Sequence, residues 1–287
     1  MAKDNEEYYV PEQSPWPIVG AIGLGFFAIG VVSMLQDKAY GHYVFLTGSL
    51  IIAYMMYGWF RDVVRESLAG LYSKQMNRSF RWGMIWFIFS EVMFFAALFG
   101  ALFYARVLSV PDLAEGYNSS LLWPEFTANW PLLNNPNPKE YQGPIEAMGP
   151  WGLPAMNTLL LLTSGATITF AHWGLQLDKR SNLITGLALT VMLGAAFIVC
   201  QGFEYYHAYH ELKLTLDSGI YGSLFFMLTG FHGAHVTVGT IMLFVILIRS
   251  IKGHFTHEEH FAFEAAAWYW HFVDVVWLIL FVFVYWL

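Results

Sequence analysis

The sequence predicts an all-α integral membrane protein of seven transmembrane helices, and three observations carry that reading. Of 287 residues, 57% are hydrophobic and 12% charged, against about 25% charged in a soluble domain; mean hydropathy is +0.48. All 11 prolines lie at Pro11, Pro15 and Pro17 or from Pro111 to Pro154. Proline breaks helix interiors, so the proline-free stretches 18–110 and 155–287 are open to long helices. Within them stand seven apolar runs, at 18–35, 42–60, 80–108, 153–177, 183–207, 219–248 and 261–287, each near or above the ~20 residues of a bilayer crossing.

Other classes are excluded early. A net charge of −7 and a pI near 5.8 argue against nucleic acid as a partner. The single cysteine, Cys200, sits in an apolar run; it permits no intrachain disulfide and reads as packing. Residues 1–14 are acidic and polar, without the basic-then-apolar pattern of a cleaved signal peptide.

An odd number of spans puts the termini on opposite sides. With the N-terminus cytoplasmic, the inner side carries Lys3, Arg61, Arg65, Lys74, Arg78, Arg81, Lys179, Arg180, Arg249 and Lys252. The outer side carries only Lys38, Arg106, Lys139 and Lys213. The positive-inside rule favours that orientation.

The first span opens at Ser14-Pro15-Trp16-Pro17, since proline is tolerated in a first helical turn. Gly20, Gly23, Gly25 and Gly30 allow close helix contact. The second ends in Trp59-Phe60-Arg61-Asp62-Val63-Val64-Arg65-Glu66. Aromatics followed by charges at an interface read either as a lipid-headgroup contact or as an ordinary aromatic belt with snorkelling arginines. The third span contains a lone carboxylate, Glu91, ~16 Å from Phe80 along a helix and so near mid-membrane. A carboxylate at that depth needs a polar interior around it. It reads as a neutral acid bonded to a neighbouring helix or as a proton-handling group.

The segment 109–152 holds Asp112, Glu115, Glu125, Glu140 and Glu146 with one lysine and Trp123, Trp130 and Trp151. A connection this long without clear secondary structure is a binding or covering segment. In the fourth span, Asn157, Thr158, Thr163, Ser164, Gly165, Thr167 and Thr169 are the small and hydroxylated residues that tight packing in lipid uses. The fifth ends in Glu204-Tyr205-Tyr206-His207, and counting from Leu183 sets Glu204 near the outer interface, ~32 Å along. The sixth carries His232 and His235 on one face, and Arg249, Lys252 and His254 form a second cationic cluster suited to an anionic headgroup. The seventh carries Glu264, His271 and Asp274. Rise-per-residue counting puts Glu91, His235, His271 and Asp274 at one level, which predicts a buried polar layer together with His232 and Glu264.

No metal is expected on these residues. Glu204-x-x-His207 has di-iron spacing, but such sites need a second copy, and none occurs. His232 and His235, three apart on one helix, cannot be the two axial ligands of one haem; His235 with His271 is the nearest pair between helices. Interhelical hydrogen bonding is the favoured reading of these imidazoles and acids.

Taken in order, the motifs Ser14-Pro15-Trp16-Pro17, Arg61-Asp62-Val63-Val64-Arg65-Glu66, Phe89-Ser90-Glu91-Val92-Met93-Phe94-Phe95, Ser164-Gly165, Ala171-His172, Tyr221-Gly222-Ser223, Thr229-Gly230-Phe231-His232-Gly233-Ala234-His235-Val236 and the run from Phe263 to Trp277 span almost the whole chain. The chain resembles subunit III of the haem–copper cytochrome c oxidases, bacterial type. The resemblance implies a two-helix group and a five-helix bundle separated by a V-shaped lipid cleft. The segments would be 1–17 (N-terminal, cytoplasmic), 18–60 (two helices), 61–79 (linker) and 80–287 (bundle with the periplasmic loop 109–152).

It implies no catalytic residue, haem or copper in this chain, those cofactors residing in subunits 1 and 2 of a hetero-oligomer in the bacterial inner membrane. The subunit would stabilise subunit 1 and support proton uptake. Phospholipids would be held by Trp59, Arg61, Glu66, Arg249 and His254, and Glu91 would match the family's carbodiimide-reactive carboxylate. Three features depart from the pattern: Leu71-Tyr72-Ser73 replaces a His-Thr pair, His172-Trp173 replaces His-His, and the outer loop is long. The alternatives are the corresponding subunit of a ubiquinol oxidase, which typically lacks the first two helices, and a membrane transporter. The proline map disfavours a transporter, whose binding sites use broken helices.

Overall fold

A computed structural model describes residues 13–115 and 117–287. Residues 1–12, most of the expected N-terminal segment, lie outside the described residues. The described residues are helical, without strands, and seven of the helices are long and apolar enough to cross a membrane. The chain is a multi-pass membrane protein. It divides into two compact units, Met1–Trp82 and Gly83–Leu287.

The first unit is an antiparallel pair, α1 (Trp16–Leu35) and α2 (Gly41–Leu68). Pro17 sits in the first turn of α1, where its missing N–H costs nothing. The turn between the helices closes through Asp37, at a φ of 54°, with the Lys38 amide donating to the Ser33 carbonyl at 2.9 Å. Glycine sets the packing. A Cβ on Gly30 would land on the backbone of Phe45, and one on Gly48 on the backbone of Phe27. The two backbones therefore touch with no side chain between them, the contact that small residues permit in lipid. At the far end the Trp16 ring covers Gly58, and its Nε1–H donates to Asp62 Oδ2 at 2.8 Å.

The second unit begins within α3 (Lys74–Phe103). α3 runs on through a π-helical turn, Tyr104–Ser109, into α4 (Val110–Ala114). After the short α5 (Tyr117–Leu122) and an irregular stretch come α6 (Leu153–Gln176), α7 (Arg180–His210), α8 (Ile220–Ile251) and α9 (Phe261–Leu280), with a π-helical turn at Phe281–Trp286. α9 is the best buried of the long helices. Its Trp270 and Trp277 are fully buried and donate from Nε1 to Ser164 Oγ and Thr158 Oγ1 on α6, each at 2.9 Å. α6 and α7 approach through Gly174 and Gly186 and share a Thr167–Thr190 hydroxyl contact of 2.8 Å.

Two boundaries differ from the sequence reading. α2 continues to Leu68 and α3 starts at Lys74, so most of the expected linker 61–79 is helix. An apolar run ends where hydrocarbon ends, but the backbone ladder continues wherever nothing breaks it. The segment 109–152 likewise contains α4 and α5 rather than being wholly irregular. It folds over its own unit: Asn135 Nδ2 donates to the Ser218 carbonyl at 3.1 Å, the Ile145 amide to the Leu212 carbonyl at 2.8 Å, and Trp130 meets Tyr221 edge-on.

Candidate functional site

A carboxylate–imidazole pair joins α3 to α8 in the second unit, and Glu91 on α3 is its acid. Its Oε2 lies 2.8 Å from Nε2 of His235 on α8, with side chains 22% and 16% exposed respectively. The other ring nitrogen, Nδ1, is 2.6 Å from the Phe231 carbonyl. A carbonyl only accepts, so Nδ1 carries a hydrogen and the neutral ring presents a lone pair at Nε2. A carboxylate and a lone pair do not approach to hydrogen-bond distance without a proton between them. Glu91 and His235 therefore share one proton, as acid and imidazole or as carboxylate and imidazolium. Phe94, Phe95 and Tyr269 surround the imidazole.

The other members of the expected polar layer are distributed. Asp274 is 7% exposed, with Oδ2 3.8 Å from Nδ1 of His271. This pair faces Gly165 on α6, where an added Cβ would stand 2.7 Å from Oδ2. The His271 side chain is 46% exposed in the chain alone and so is not buried within it. His232 is fully buried against Phe197 and Trp277, with Nε2 3.2 Å from the Val273 carbonyl. Glu264 lies in the first turn of α9, ~15 Å along the helix from Asp274. There it meets His260, Nε2 to Oε1, at 3.2 Å, and His172 of α6 is close by. The arrangement is thus separate pairs on different helix faces, not one layer.

Counting set Glu204 near the end of the fifth span, and the structure adds its surroundings. It is 1% exposed, and Tyr285, in the last π-helical turn, donates its hydroxyl to Oε1 at 2.5 Å. Within the motif Glu204-x-x-His207 the partners diverge, since His207 pairs with Glu211 at 3.0 Å. A carboxylate beside a Gln201–Tyr205–Thr229 network was detectable only as an acid in an apolar context; its phenol partner is 81 residues away.

The expected lipid residues fall in both units. In the first, Trp59 and Arg61 are exposed, Trp59 stacks on Phe60, and Glu66 accepts from the Tyr72 hydroxyl at 2.8 Å. In the second, α8 ends with Gly253 at a φ of 75° and the His254 amide on the Arg249 carbonyl. The Arg249 guanidinium lies 4.6 Å over the Phe255 ring. Arg249 Nε and His254 Nδ1 are both buried without a hydrogen-bond partner among the described residues. Burial first, then Arg249 and Lys252, hold the His254 imidazole below its ordinary range. A cationic site with two unsatisfied nitrogens suits a phosphate oxygen.

Comparison with known proteins adds an independent line. The family model described as cytochrome c oxidase subunit III matches residues 6–137 and 138–287. A cytochrome c oxidase subunit 3 of Arabidopsis thaliana is 42% identical over 287 residues, covering 100% of this chain and 98% of the relative. One from Drosophila melanogaster is 40% identical over 98% of this chain and 97% of its own. One from Pylaiella littoralis is 41% identical over 97% and 93%.

Proposed function

Since the chain belongs to the cytochrome c oxidase subunit III family, we propose that it is the non-redox structural subunit of a proton-pumping haem–copper oxidase. On this reading it docks on subunit 1, alongside subunit 2, in a complex that oxidises cytochrome c and reduces oxygen to water. Haems and copper reside in those partners. Its own acids and imidazoles fasten helices, hold phospholipid and support proton uptake by subunit 1. The membrane is the bacterial inner membrane, with the N-terminus cytoplasmic and the C-terminus periplasmic, as the lysine and arginine distribution favours.

The observation that carries this reading is the closed pairing of Glu91 with His235. One proton held between two helices, ringed by aromatic side chains, is suited to fastening and needs no exchange with water. Glu91→Gln keeps a hydrogen-bonding side chain at the same position. In the assembled complex it should leave oxygen consumption and protons pumped per electron within about twofold of wild type, on the scale of one retained hydrogen bond. Abolished pumping in a fully assembled variant would instead make the pair a proton relay.

For the lipid role, replacing Trp59 and Arg249 together by alanine should deplete phospholipid from the purified complex and hasten inactivation during turnover. Unchanged lipid content would remove these residues from that role. A ubiquinol oxidase subunit remains the second reading. The presence of both α1 and α2 favours the cytochrome c type, and direct assay with each electron donor separates them.

A further inference from the structure

We propose that His172, His260 and Glu264 form a binding site for one redox-inactive divalent ion of the zinc class, joining the last turns of α6 to the start of α9. This goes beyond the structural reading above. It replaces the expectation of a metal-free chain with a closed-shell ion that carries no electrons.

Among the described residues, these three form the one group of histidine, cysteine or acidic side chains whose ligand atoms could converge on a metal, all lying within 4.8 Å of one another. They come from distant parts of the chain. His172 precedes the end of α6 at Gln176, His260 is the N-cap of α9, and Glu264 lies in its first turn. The His260 and Glu264 side chains are only 10% and 14% exposed, so competition from bulk water is limited.

The orientation of His260 leaves a lone pair toward the group. Its Nδ1 lies 3.0 Å from the Thr256 carbonyl, which can only accept, so Nδ1 bears the hydrogen. This is the outer hydrogen bond that commonly orients a metal-binding imidazole. Nε2 is then the lone-pair nitrogen, and it faces Glu264 Oε1 at 3.2 Å. A shared proton, as between Glu91 and His235, or an ion beside the two atoms accounts for this separation, and the His260 lone pair faces the side from which His172 approaches.

The distances fit. Ligands ~2.0–2.1 Å from a tetrahedral ion stand ~3.3 Å from one another, close to the 3.2 Å observed. The His172 and His260 rings are 5.8 Å apart at an interplanar angle of 65°, approaching by their edges rather than stacking. His172 Nε2 has a long contact, 3.4 Å to the Gln176 amide nitrogen, which a bound ion would replace. Two imidazoles and a carboxylate are a ligand set that zinc takes readily, with a fourth position left for water.

The test uses Zn²⁺ itself on the assembled oxidase complex after dialysis against a chelator. Wild type should rebind one more zinc ion per complex than either His172→Ala or Glu264→Gln at micromolar free Zn²⁺. His257→Ala, an exposed histidine outside the group, should bind as wild type does. Equal zinc content in wild type and the site variants overturns the proposal. If the variants fail to assemble, X-ray absorption at the zinc edge of the wild-type full chain in detergent decides. Two imidazole ligands support the site. Zinc coordinated without imidazole, or no zinc retained, means that the three residues share only a proton.

Discussion

The α1–α2 pair and the five-helix unit solve one problem in two ways. Lipid gives helices no hydrophobic reason to associate, so contact must come from close packing or from polar bonds. In the first unit the contact is backbone against backbone at Gly30 and Gly48. In the second, such glycine contacts join α6 to α7 at Gly174 and Gly186, but around α9 large side chains fill the space, and their polar ends bond across helices: Trp270 to Ser164, Trp277 to Thr158, Tyr285 to Glu204. In the first solution the polar bond between the two helices lies at their end, Trp16 to Asp62. The second creates a protected interior where acids and imidazoles can reside.

The sharpest way to break the contrast is to fill a glycine contact. Gly48→Leu places a side chain on the Phe27 backbone, which cannot rotate away. It should cost ~3 kcal/mol or more, the upper range of overpacking, read as a lowered unfolding midpoint of the subunit in detergent. A midpoint within a degree of wild type would mean that the pair is not held by this approach.

Next is Glu204→Ala, which strands the Tyr285 hydroxyl in a dry interior and should cost about 1–3 kcal/mol; Glu204→Gln should recover most of it. Equal losses in the two variants would assign the effect to volume alone. Trp277→Phe keeps an aromatic ring but removes the N–H that reaches Thr158, so about 1 kcal/mol is expected in the same melting experiment.

The smallest effect lies at the α8 terminus. Burial beside Arg249 and Lys252 disfavours a charged His254, so the unfolded chain binds a proton there more readily than the folded one. Stability from this group is present above ~6.5 and declines as pH falls below that. His254→Gln should flatten that part of the melting-against-pH curve, and so should a bound anionic phospholipid, by offsetting the neighbouring cations. A curve that this substitution leaves unchanged would free His254 of any role in it.

Much of this architecture was legible in the residues. The proline map and the apolar runs located all seven membrane helices, because both report directly on where a backbone ladder survives in lipid. Rise-per-residue counting brought Glu91 and His235 to one depth, although they lie 144 residues apart. What it could not supply was rotation about each helix axis. That is why His271 and Asp274 were grouped with Glu91, whereas they face Gly165.

For Glu204, counting gave the depth but not the burial. Its burial depends on the π-helical turn at Phe281–Trp286, which sets Tyr285 against it, and no local pattern announces that register. The spacing of His260 and Glu264, one turn apart, was visible. The arrival of His172 beside them depends on how α6 and α9 cross.

The fit of Asp274 against Gly165 carries a consequence for descent. The bare Cα at 165 is the vacancy that the carboxylate occupies, since a methyl group there would stand 2.7 Å from its oxygen. The two positions should therefore drift through evolution as one heritable unit. A lineage that acquires alanine at 165 should be found to have turned the acid at 274 aside, shortened it or discarded it.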